Sequence, residues 1–162
     1  MTLPRKDMLY KLITLPDIRF LRCDIKSLNL LPNVLASQAA KEASCDEAVL
    51  HRNGIVSECA HSNLFYLKDQ VLYTAPLSHL ILPGITRARL IACAKRLGIA
   101  VVEAPFTLEE SRQADEVIVT STTKQCVRAC ELDKEAIALR DPVTFTALQD
   151  AFFHEFEEET KQ

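Results

Sequence analysis

Four short stretches of the sequence carry residue types that could do chemistry, and the first is a lysine among apolar residues. In "RCDIKSLNLL", Lys26 lies between Ile25 and Leu28. A lysine at the end of a helix usually extends its amine to water along an apolar surface. An amine held in an apolar pocket instead loses hydration, which disfavours its charged form and leaves a nucleophile that can form a Schiff base. The segment alone permits both interpretations.

The second stretch contains a carboxylate. Glu58 ends the alternating segment "GIVSE" and precedes "CAHSN". A carboxylate at the end of a strand is usually solvated. Beside a pyridine nitrogen, however, it would hold that nitrogen protonated and make the ring a better electron acceptor.

The third and fourth stretches could bind an anion such as phosphate. Gly84, Ile85 and Thr86 come directly before "RARLIACAKRL", and a helix N-terminus presents unpaired N–H groups to anions. Thr120–Thr123 ends the apolar strand "EVIV", where hydroxyls can donate to phosphate oxygens. A plain glycine turn and a generic loop are equally consistent with these stretches taken singly. Only the order of all four is distinctive.

The pattern around these stretches predicts a mixed α/β domain, and its first half reads as strands around one helix. "YKLITLPD" is typical of a strand ended by Pro16, and a helix is expected over about Leu28 to Ala43. Asn53-Gly54 predicts a tight hairpin turn of type I′. A second hairpin is expected from "NLFYL" and "VLYT" around "KDQ".

The second half is predicted to alternate helices and strands. A helix should begin after Gly84 and end at Gly98, and the strand "AVVEAPF" should follow. Thr107 and Glu110 have the spacing of a capping box at the start of a short helix. The strands "EVIVTSTT" and "QCVRACEL" should pair. A last helix should begin at "DP", with the aspartate as N-cap and the proline at its first position.

Size, charge and composition narrow the class of protein. A chain of 162 residues can bury one good core, so one domain is expected over residues 1–162. The net charge of −3, without a Lys/Arg-rich run, argues against a nucleic-acid partner. The apolar runs are too short to span a membrane, and "MTLPRKDMLYKL" lacks the apolar core of a secretion signal, so a cytoplasmic location is expected. The six cysteines are expected to be reduced, mostly buried thiols, and no metal site is predicted because no further ligand lies next to "CVRAC".

The four stretches in this order closely resemble the D-amino-acid aminotransferases. The resemblance is carried by "DIRFLRCDIKSLNLL", "EAVLHRNGIVSECAHSN", "LYTAPLSHLILPGITR" and "DEVIVTSTT", and it covers nearly the whole chain from about Asp17. These enzymes belong to the class IV (fold type IV) pyridoxal-phosphate enzymes, with the branched-chain aminotransferases and aminodeoxychorismate lyases. The resemblance implies the C-terminal, cofactor-binding domain of that fold, a mixed sheet or pseudo-barrel with flanking helices.

Carried over by position, the resemblance also implies roles for individual residues. Lys26 matches the lysine that forms the Schiff base with pyridoxal 5′-phosphate and moves the α-proton. Glu58 matches the partner of the pyridine nitrogen, and Leu82 matches the residue that supports one face of the ring. The phosphate contacts implied are the backbone groups of Ile85 and Thr86 and the hydroxyls of Ser121 and Thr122, and an arginine near the site corresponds to Arg19.

The activity implied by the resemblance is transamination between D-amino acids, such as D-alanine, and 2-oxo acids. Relatives acting as aminodeoxychorismate lyases or branched-chain aminotransferases share the same cofactor residues and remain alternatives. The family also carries an N-terminal domain that does not correspond to this sequence. The expected protein partners are therefore a second copy in a homodimer or a separate N-terminal half, and an inactive remnant is the non-enzyme alternative. Exposed apolar area and self-association are expected on the surface that such a domain would cover.

Two segments depart from the family pattern. After Glu58 the family commonly has E-G-(S/T)-x-S-N, whereas this chain has Cys59, Ala60 and His61 before Ser62-Asn63. Glycine permits backbone conformations that cysteine does not, and an inward-pointing His61 would crowd the cofactor ring. The glycine-rich turn that precedes the last helix in the family is replaced here by "DKEAIALRD".

Overall fold

The order of strands and helices follows from a computed structural model that describes residues 8–160, without the side chains at positions 156, 157, 159 and 160. Expectations about the first seven residues, including the absence of a secretion signal, concern positions outside that range. The elements, in chain order, are β1 Leu9–Pro16, α1 Leu31–Glu42, β2 Glu47–Arg52, β3 Ile55–Cys59, β4 Asn63–Lys68, β5 Val71–Thr74, α2 Ile85–Arg96, β6 Val101–Glu103, α3 Leu108–Arg112, β7 Glu116–Ser121, β8 Gln125–Leu132, β9 Glu135–Ala136 and α4 Pro142–Thr160.

The strands form one mixed sheet in the order β3-β2-β1-β8-β7-β4-β5-β6, with β9 paired to β8. The sheet is mixed because β1 runs parallel to both β2 and β8, and β5 runs parallel to β6, while the hairpins are antiparallel. Its two edges approach each other. Ile55 of β3 bridges Thr107, which follows β6, and Val56 N donates to Phe106 O at 2.9 Å. The sheet is thus curled into a half-barrel with flanking helices, and the predicted fold class is confirmed.

The curled sheet packs a core on each face, and strand alternation decides which side chain joins which core. In β4, Leu64 and Tyr66 belong to the inner cluster, whereas Phe65 and Leu67 pack with residues of α2 and α4. Because neighbouring side chains of a strand point to opposite faces, a strand buried on both faces is apolar throughout. This accounts for the uninterrupted "LFYL", and α1 covers a smaller cluster on β2.

Three tight turns between strands use residues in the left-handed backbone region. Asn53 and Gly54 have φ values of 51° and 81°, as a type I′ turn requires, which confirms the first hairpin. The second hairpin is also confirmed, but its turn is Asp69-Gln70 alone, because Lys68 pairs within β4. The segment "DKEAIALRD" replaces a glycine-rich turn by placing Asp133 and Lys134 at φ 51° and 68° between β8 and β9.

The helix predicted over Leu28 to Ala43 is wrong at its first turn, because α1 begins at Leu31. Pro32 explains the difference. A proline ring clashes with the carbonyl four residues earlier in a helix, so a proline is tolerated only in the first turn. Starting at Leu28 would have placed the proline in the second turn.

The other helix boundaries agree with their sequence signals. The helix α2 ends before Gly98, whose φ of 74° suits the position after the last helical residue. The predicted capping box opens α3, since Thr107 and Glu110 exchange side-chain to backbone hydrogen bonds of 3.1 and 2.7 Å. Asp141 caps α4 by accepting from Thr144 N at 3.1 Å. The strand "AVVEAPF" is shorter than expected and covers only β6.

Residues 8–160 contain neither a membrane-spanning helix nor a metal-binding cluster of side chains. None of the helices in that range is long and apolar enough to cross a membrane. Among the same residues, no group of three or more His, Cys, Asp or Glu side chains is arranged to hold a metal ion.

Candidate active site

A cleft of about 580 Å³ opens where β3 and β7 end and α2 begins. Its wall includes every residue named from the sequence as a candidate site residue, and Arg19 as well. These residues are Lys26, Glu58, Leu82, Ile85, Thr86, Ser121 and Thr122. The fold therefore brings all four chemical stretches to one place, although they are separated by up to about a hundred residues of sequence. Their individual roles stay predictions.

Glu58 is buried at the inner wall of the cleft and is held by three donors. Arg19 Nη1 donates to Oε1, while Asn63 Nδ2 and the backbone N of Leu82 donate to Oε2 at 3.0 and 3.1 Å. Burial raises the pKa of Glu58 to about 7, even though Arg19 and the Leu82 N–H lower it. The carboxyl can therefore change its charge near neutral pH when a ligand alters its surroundings.

Arg19 is itself buried and fully engaged. Its Nε and Nη2 donate to the two oxygens of Asp17, each at 2.9 Å, and Nη2 also donates to Leu80 O at 3.0 Å. Burial alone would raise the pKa of Asp17, but the hydrogen bonds and charge of Arg19 outweigh it and lower that pKa. Asp17 also accepts from Ser57 Oγ and Arg52 Nε, at 2.9 and 3.2 Å. Glu58 thus rests against a fixed guanidinium rather than a mobile one.

The N-terminus of α2 faces the cleft without a side-chain cap. Gly84 is the N-cap residue, no side chain accepts from the first turn, and no acidic residue lies there. The first helical N–H with a helical acceptor is that of Ala88, which donates to Gly84 O at 3.0 Å. The N–H groups of Ile85 and Thr86 are therefore donors at the positive end of a helix dipole, which favours an anion.

A side chain on Gly84 would displace the Asn63 amide. A Cβ on Gly84 would lie 2.2 Å from Oδ1 of Asn63, far inside van der Waals contact. Its own φ is −64°, so glycine is needed for space rather than for an unusual backbone conformation.

The hydroxyl cluster contributes a second set of polar groups to the same wall. Thr120 ends up buried with no hydrogen-bond partner for Oγ1 among the described residues. Ser121 Oγ accepts from Lys124 N at 3.1 Å, and Thr122 and Thr123 are exposed. A buried hydroxyl without a partner is uncommon in folded proteins.

The interpretation of Lys26 as an amine held in an apolar pocket is wrong for the chain by itself, because the neighbouring side chains do not bury it. Lys26 is exposed in a loop that precedes α1, on the outer wall of the cleft. Ile25 and Leu28 are themselves 52% and 96% exposed. These side chains cannot exclude water from the amine, because they do not pack over it. Any desolvation of Lys26 has to come from a bound ligand or from another polypeptide segment.

The segment after Glu58 accommodates its departures from the family pattern. Cys59 lies within β3, has no positive φ, and donates its N–H to Ser62 O at 2.8 Å, so cysteine causes no backbone strain there. Burial raises the pKa of the Cys59 thiol well above its ordinary value, which keeps it neutral. The imidazole of His61 is exposed, and its Nε2 lies 2.6 Å from Ser37 Oγ of α1.

Asn63 is the site residue that sequence reasoning missed. It is buried, and its amide contacts both Glu58 and the backbone of Leu82. The sequence held one signal that could have found it. A buried strand that opens with an asparagine has to satisfy that amide, and the nearest carboxylate in sequence is Glu58.

Comparison with known proteins defines the family. The profile of the family "Amino-transferase class IV" matches residues 4–132. The chain therefore belongs to the class IV amino-transferases.

Individual relatives agree with that assignment. The chain is 50% identical over 134 residues to the D-alanine aminotransferase of Listeria monocytogenes serotype 4b (strain F2365), which covers 82% of this chain and 46% of the relative. It is 43% identical over 148 residues to the D-alanine aminotransferase of Bacillus licheniformis, covering 88% and 52%. The chain thus spans about half the length of these curated relatives.

A solved structure shares the fold. The branched-chain amino acid aminotransferase from Escherichia coli superposes with a TM-score of 0.77 at 30% identity. The superposition covers 89% of this chain and 51% of that one.

Proposed function

We propose that this chain is the cofactor-binding part of a pyridoxal-phosphate-dependent transaminase acting on D-amino acids, such as D-alanine, and 2-oxo acids. The observation that carries the proposal is the arrangement of one cleft. A buried carboxyl lies at its inner wall, an uncapped helix N-terminus and a hydroxyl cluster form another part, and a lysine stands on the outer wall. Two relatives that share 43–50% of their aligned residues with this chain are D-alanine aminotransferases, which supports the D-amino-acid substrate class.

The residues of the cleft fit pyridoxal phosphate at both of its ends. Glu58 would face the pyridine nitrogen, and a proton on that nitrogen would give the buried carboxylate a second positive neighbour. At the other end, the N–H groups of Ile85 and Thr86 with the hydroxyls of Ser121 and Thr122 would hold the phosphate. Thr120 Oγ1 is a buried hydroxyl still without a partner on that side, among the residues that the structure describes. The cleft volume also lies in the range of cofactor sites.

The reaction would divide its tasks between the cofactor and this chain. Pyridoxal phosphate, when bound, supplies a ring that withdraws electrons from the α-carbon of the amino acid. Lys26 would hold the cofactor covalently through Nζ, release it to the substrate amine, and then move the α-proton. Glu58 would keep the ring nitrogen protonated, Arg19 would keep Glu58 in place, and Leu82 would lie against one face of the ring.

The proposal includes a protein partner, either a second copy or the N-terminal half found in relatives. Nine large apolar side chains are exposed within a stretch of 18 residues that contributes the outer wall of the cleft. Such a concentration is typical of an interface rather than a free surface. The nine are Ile18, Phe20, Leu21, Ile25, Leu28, Leu30, Leu31, Val34 and Leu35. A partner on this surface would also supply the burial that Lys26 lacks in the chain by itself.

A cytoplasmic location forms part of the same proposal. All six cysteines are free thiols. A chain with six thiols and no disulfide fits a reducing compartment.

Chemical trapping tests the covalent role of Lys26. The purified chain is mixed with pyridoxal phosphate and treated with borohydride, which fixes the cofactor to the nitrogen that holds it, and the labelled peptide is found by mass spectrometry. The proposal expects one label, on Lys26. Labels spread over exposed lysines such as Lys41 would contradict it.

Turnover is assayed separately with D-alanine or L-alanine and 2-oxoglutarate. The chain is tested alone and together with the N-terminal half of the Listeria relative. We expect turnover of D-alanine in the mixture. Equal turnover of L-alanine would contradict the proposed substrate class.

A further inference from the structure

We propose that Asn63 is a positioning residue that connects the two ends of the cleft. It keeps the Glu58 carboxylate in a fixed position relative to the turn at residues 82–84, ahead of α2. The inference deepens the proposed function and rests on it for its biological meaning. Its geometry and its test, however, need only the chain itself.

The Asn63 amide nitrogen is fully used in hydrogen bonds. Nδ2 donates to Glu58 Oε2 at 3.0 Å and to Leu82 O at 3.1 Å, which uses both of its hydrogens. The backbone N of Leu82 donates to the same carboxylate oxygen at 3.1 Å. Asn63, Glu58 and Leu82 therefore form a closed three-member network, in which Asn63 donates to the side chain of Glu58 and to the backbone of Leu82.

Asn63 also lies in direct contact with Gly84. The absence of a side chain on Gly84 is what lets Oδ1 of Asn63 lie against the residue that caps α2. Gly84 N also donates to Leu82 O at 2.8 Å, so that carbonyl receives both the Asn63 amide and the cap residue. Movement of Asn63 therefore has to displace the turn from which the N–H donors of α2 begin.

The position of Asn63 in the sheet places it next to the hydroxyl cluster. It opens β4 and pairs there with Thr120 of β7, the first residue of the hydroxyl cluster. Asn63 thus lies at the junction of the carboxylate, the helix N-terminus and the hydroxyl strand. No other standard side chain provides the same contacts. Aspartate would place a second carboxylate beside Glu58, and alanine would remove one donor from each of the two acceptors.

The charged and titratable groups that face Glu58 are few. Arg19 contacts it directly, Asp17 lies behind Arg19, and the thiols of Cys23 and of the adjacent Cys59 are both influenced by the Glu58 charge. The remaining contacts of the carboxylate are the neutral donors Asn63 and Leu82 N. Replacing Asn63 therefore changes the titration of Glu58 without removing a charged neighbour.

The test follows the titration of Glu58 by NMR of ¹³C-labelled carboxyl groups in the cofactor-free chain. Asn63→Ala removes a hydrogen bond to a charged group, so the Glu58 midpoint should rise by roughly one pH unit. Asn63→Asp should raise it further, because a like charge is added next to it. Asn33→Ala is the matched control, since Asn33 also lines the cleft and donates to a backbone oxygen, that of Ala60 at 2.7 Å, but does not contact Glu58.

Gly84→Ala tests the coupling from the opposite end. Gly84 does not contact Glu58, yet an added methyl would push Oδ1 of Asn63, so the Glu58 midpoint should shift in this variant too. Gly98→Ala, at the other end of α2, strains the backbone only at its own φ of 74°, adds a methyl with no atom within 4 Å, and should leave the Glu58 midpoint unchanged. In the wild type, the amide resonances of Ile85 and Thr86 should follow the Glu58 midpoint, and Asn63→Ala should reduce their response by at least half.

The outcomes separate this inference from the proposed function. A Glu58 midpoint that is unchanged in Asn63→Asp or in Gly84→Ala would overturn the coupling, as would an undiminished response of Ile85 and Thr86. These measurements are made without cofactor. Failure of the chain to bind pyridoxal phosphate would therefore count against the proposed function and leave the result for Asn63 standing.

Discussion

Arg19 and Glu58 form an ion pair in which both side chains are almost fully buried beneath the cleft, with 5% and 6% of their surfaces exposed. Two opposing effects act on Glu58 in this pair. Burial disfavours its charged form, and the guanidinium favours it. Because burial is the larger effect, the pKa of Glu58 stays near 7. The pair therefore links the chemistry of the site to the stability of the fold.

Replacement of Arg19 should be strongly destabilising. Arg19→Met leaves the Glu58 carboxylate buried without its charged partner, and removal of one member of a buried pair costs about 3–5 kcal/mol. Arg22→Met is the control, because Arg22 pairs with Asp24 on the surface, where such pairs contribute little to stability. Urea unfolding at pH 8 measures both. Equal losses in the two variants would contradict a structural role for the buried pair.

The raised pKa of Glu58 predicts an unusual dependence of stability on pH. Its pKa is about 7 in the folded chain and near 4.5 when unfolded, so between these values the folded state binds the additional proton. The free energy of unfolding should therefore fall as the pH rises from about 4.5 to 7, by on the order of 3 kcal/mol. Asp17 has the opposite effect on stability, and over a different pH range. Because its pKa is lowered in the folded chain, its contribution to stability is lost only as the pH falls below 3.8.

Glu58→Gln is the variant that isolates this effect. Its absolute stability should be lower, because the glutamine amide would meet the donors Asn63 and Leu82 N. The measurement is therefore the slope of the free energy of unfolding between pH 4.5 and 7. The downward slope should disappear in Glu58→Gln, and its persistence would assign it to another group.

Replacing Thr120 should affect cofactor binding without lowering the stability of the fold. Its buried Oγ1 has no partner among the described residues, so Thr120→Val should leave the free energy of unfolding unchanged or raise it. Thr74→Val is the matched control. Thr74 is equally buried, but its hydroxyl donates to Leu64 O at 2.8 Å, and its loss should cost about 1 kcal/mol.

The same pair of variants should behave oppositely toward the cofactor. Thr120→Val should weaken the binding of pyridoxal phosphate, followed by the change in its absorption, whereas Thr74→Val should not. A Thr120→Val variant that loses more stability than Thr74→Val would show that the hydroxyl has a structural partner.

Local signals in the sequence are sufficient where a few neighbouring residues decide the conformation. The Asn53-Gly54 turn and the Thr107–Glu110 capping box follow from backbone and side-chain chemistry within four residues, and the structure confirms both. The start of α1 also has a local signal, because the helical apolar spacing begins at Leu31 and Pro32 suits a first turn, so the expected start at about Leu28 is three residues too early.

Features that depend on distant segments cannot be predicted in the same way. The parallel pairing of β1 with β8 joins residues more than a hundred positions apart, and nothing within either strand specifies it. The exposure of Lys26 likewise depends on what packs over its loop. Asn63 belongs to this group too, since the closeness of Gly84 arises only after β4 and α2 are folded together.

The visible absorption spectrum of the purified chain mixed with pyridoxal phosphate reports whether Lys26 holds the cofactor. The wild type should show the visible band of lysine-linked pyridoxal phosphate, Lys41→Ala on the exposed face of α1 should retain it, and Lys26→Ala should lose it. The absence of a band in the wild type, or an unchanged band in Lys26→Ala, would contradict the account.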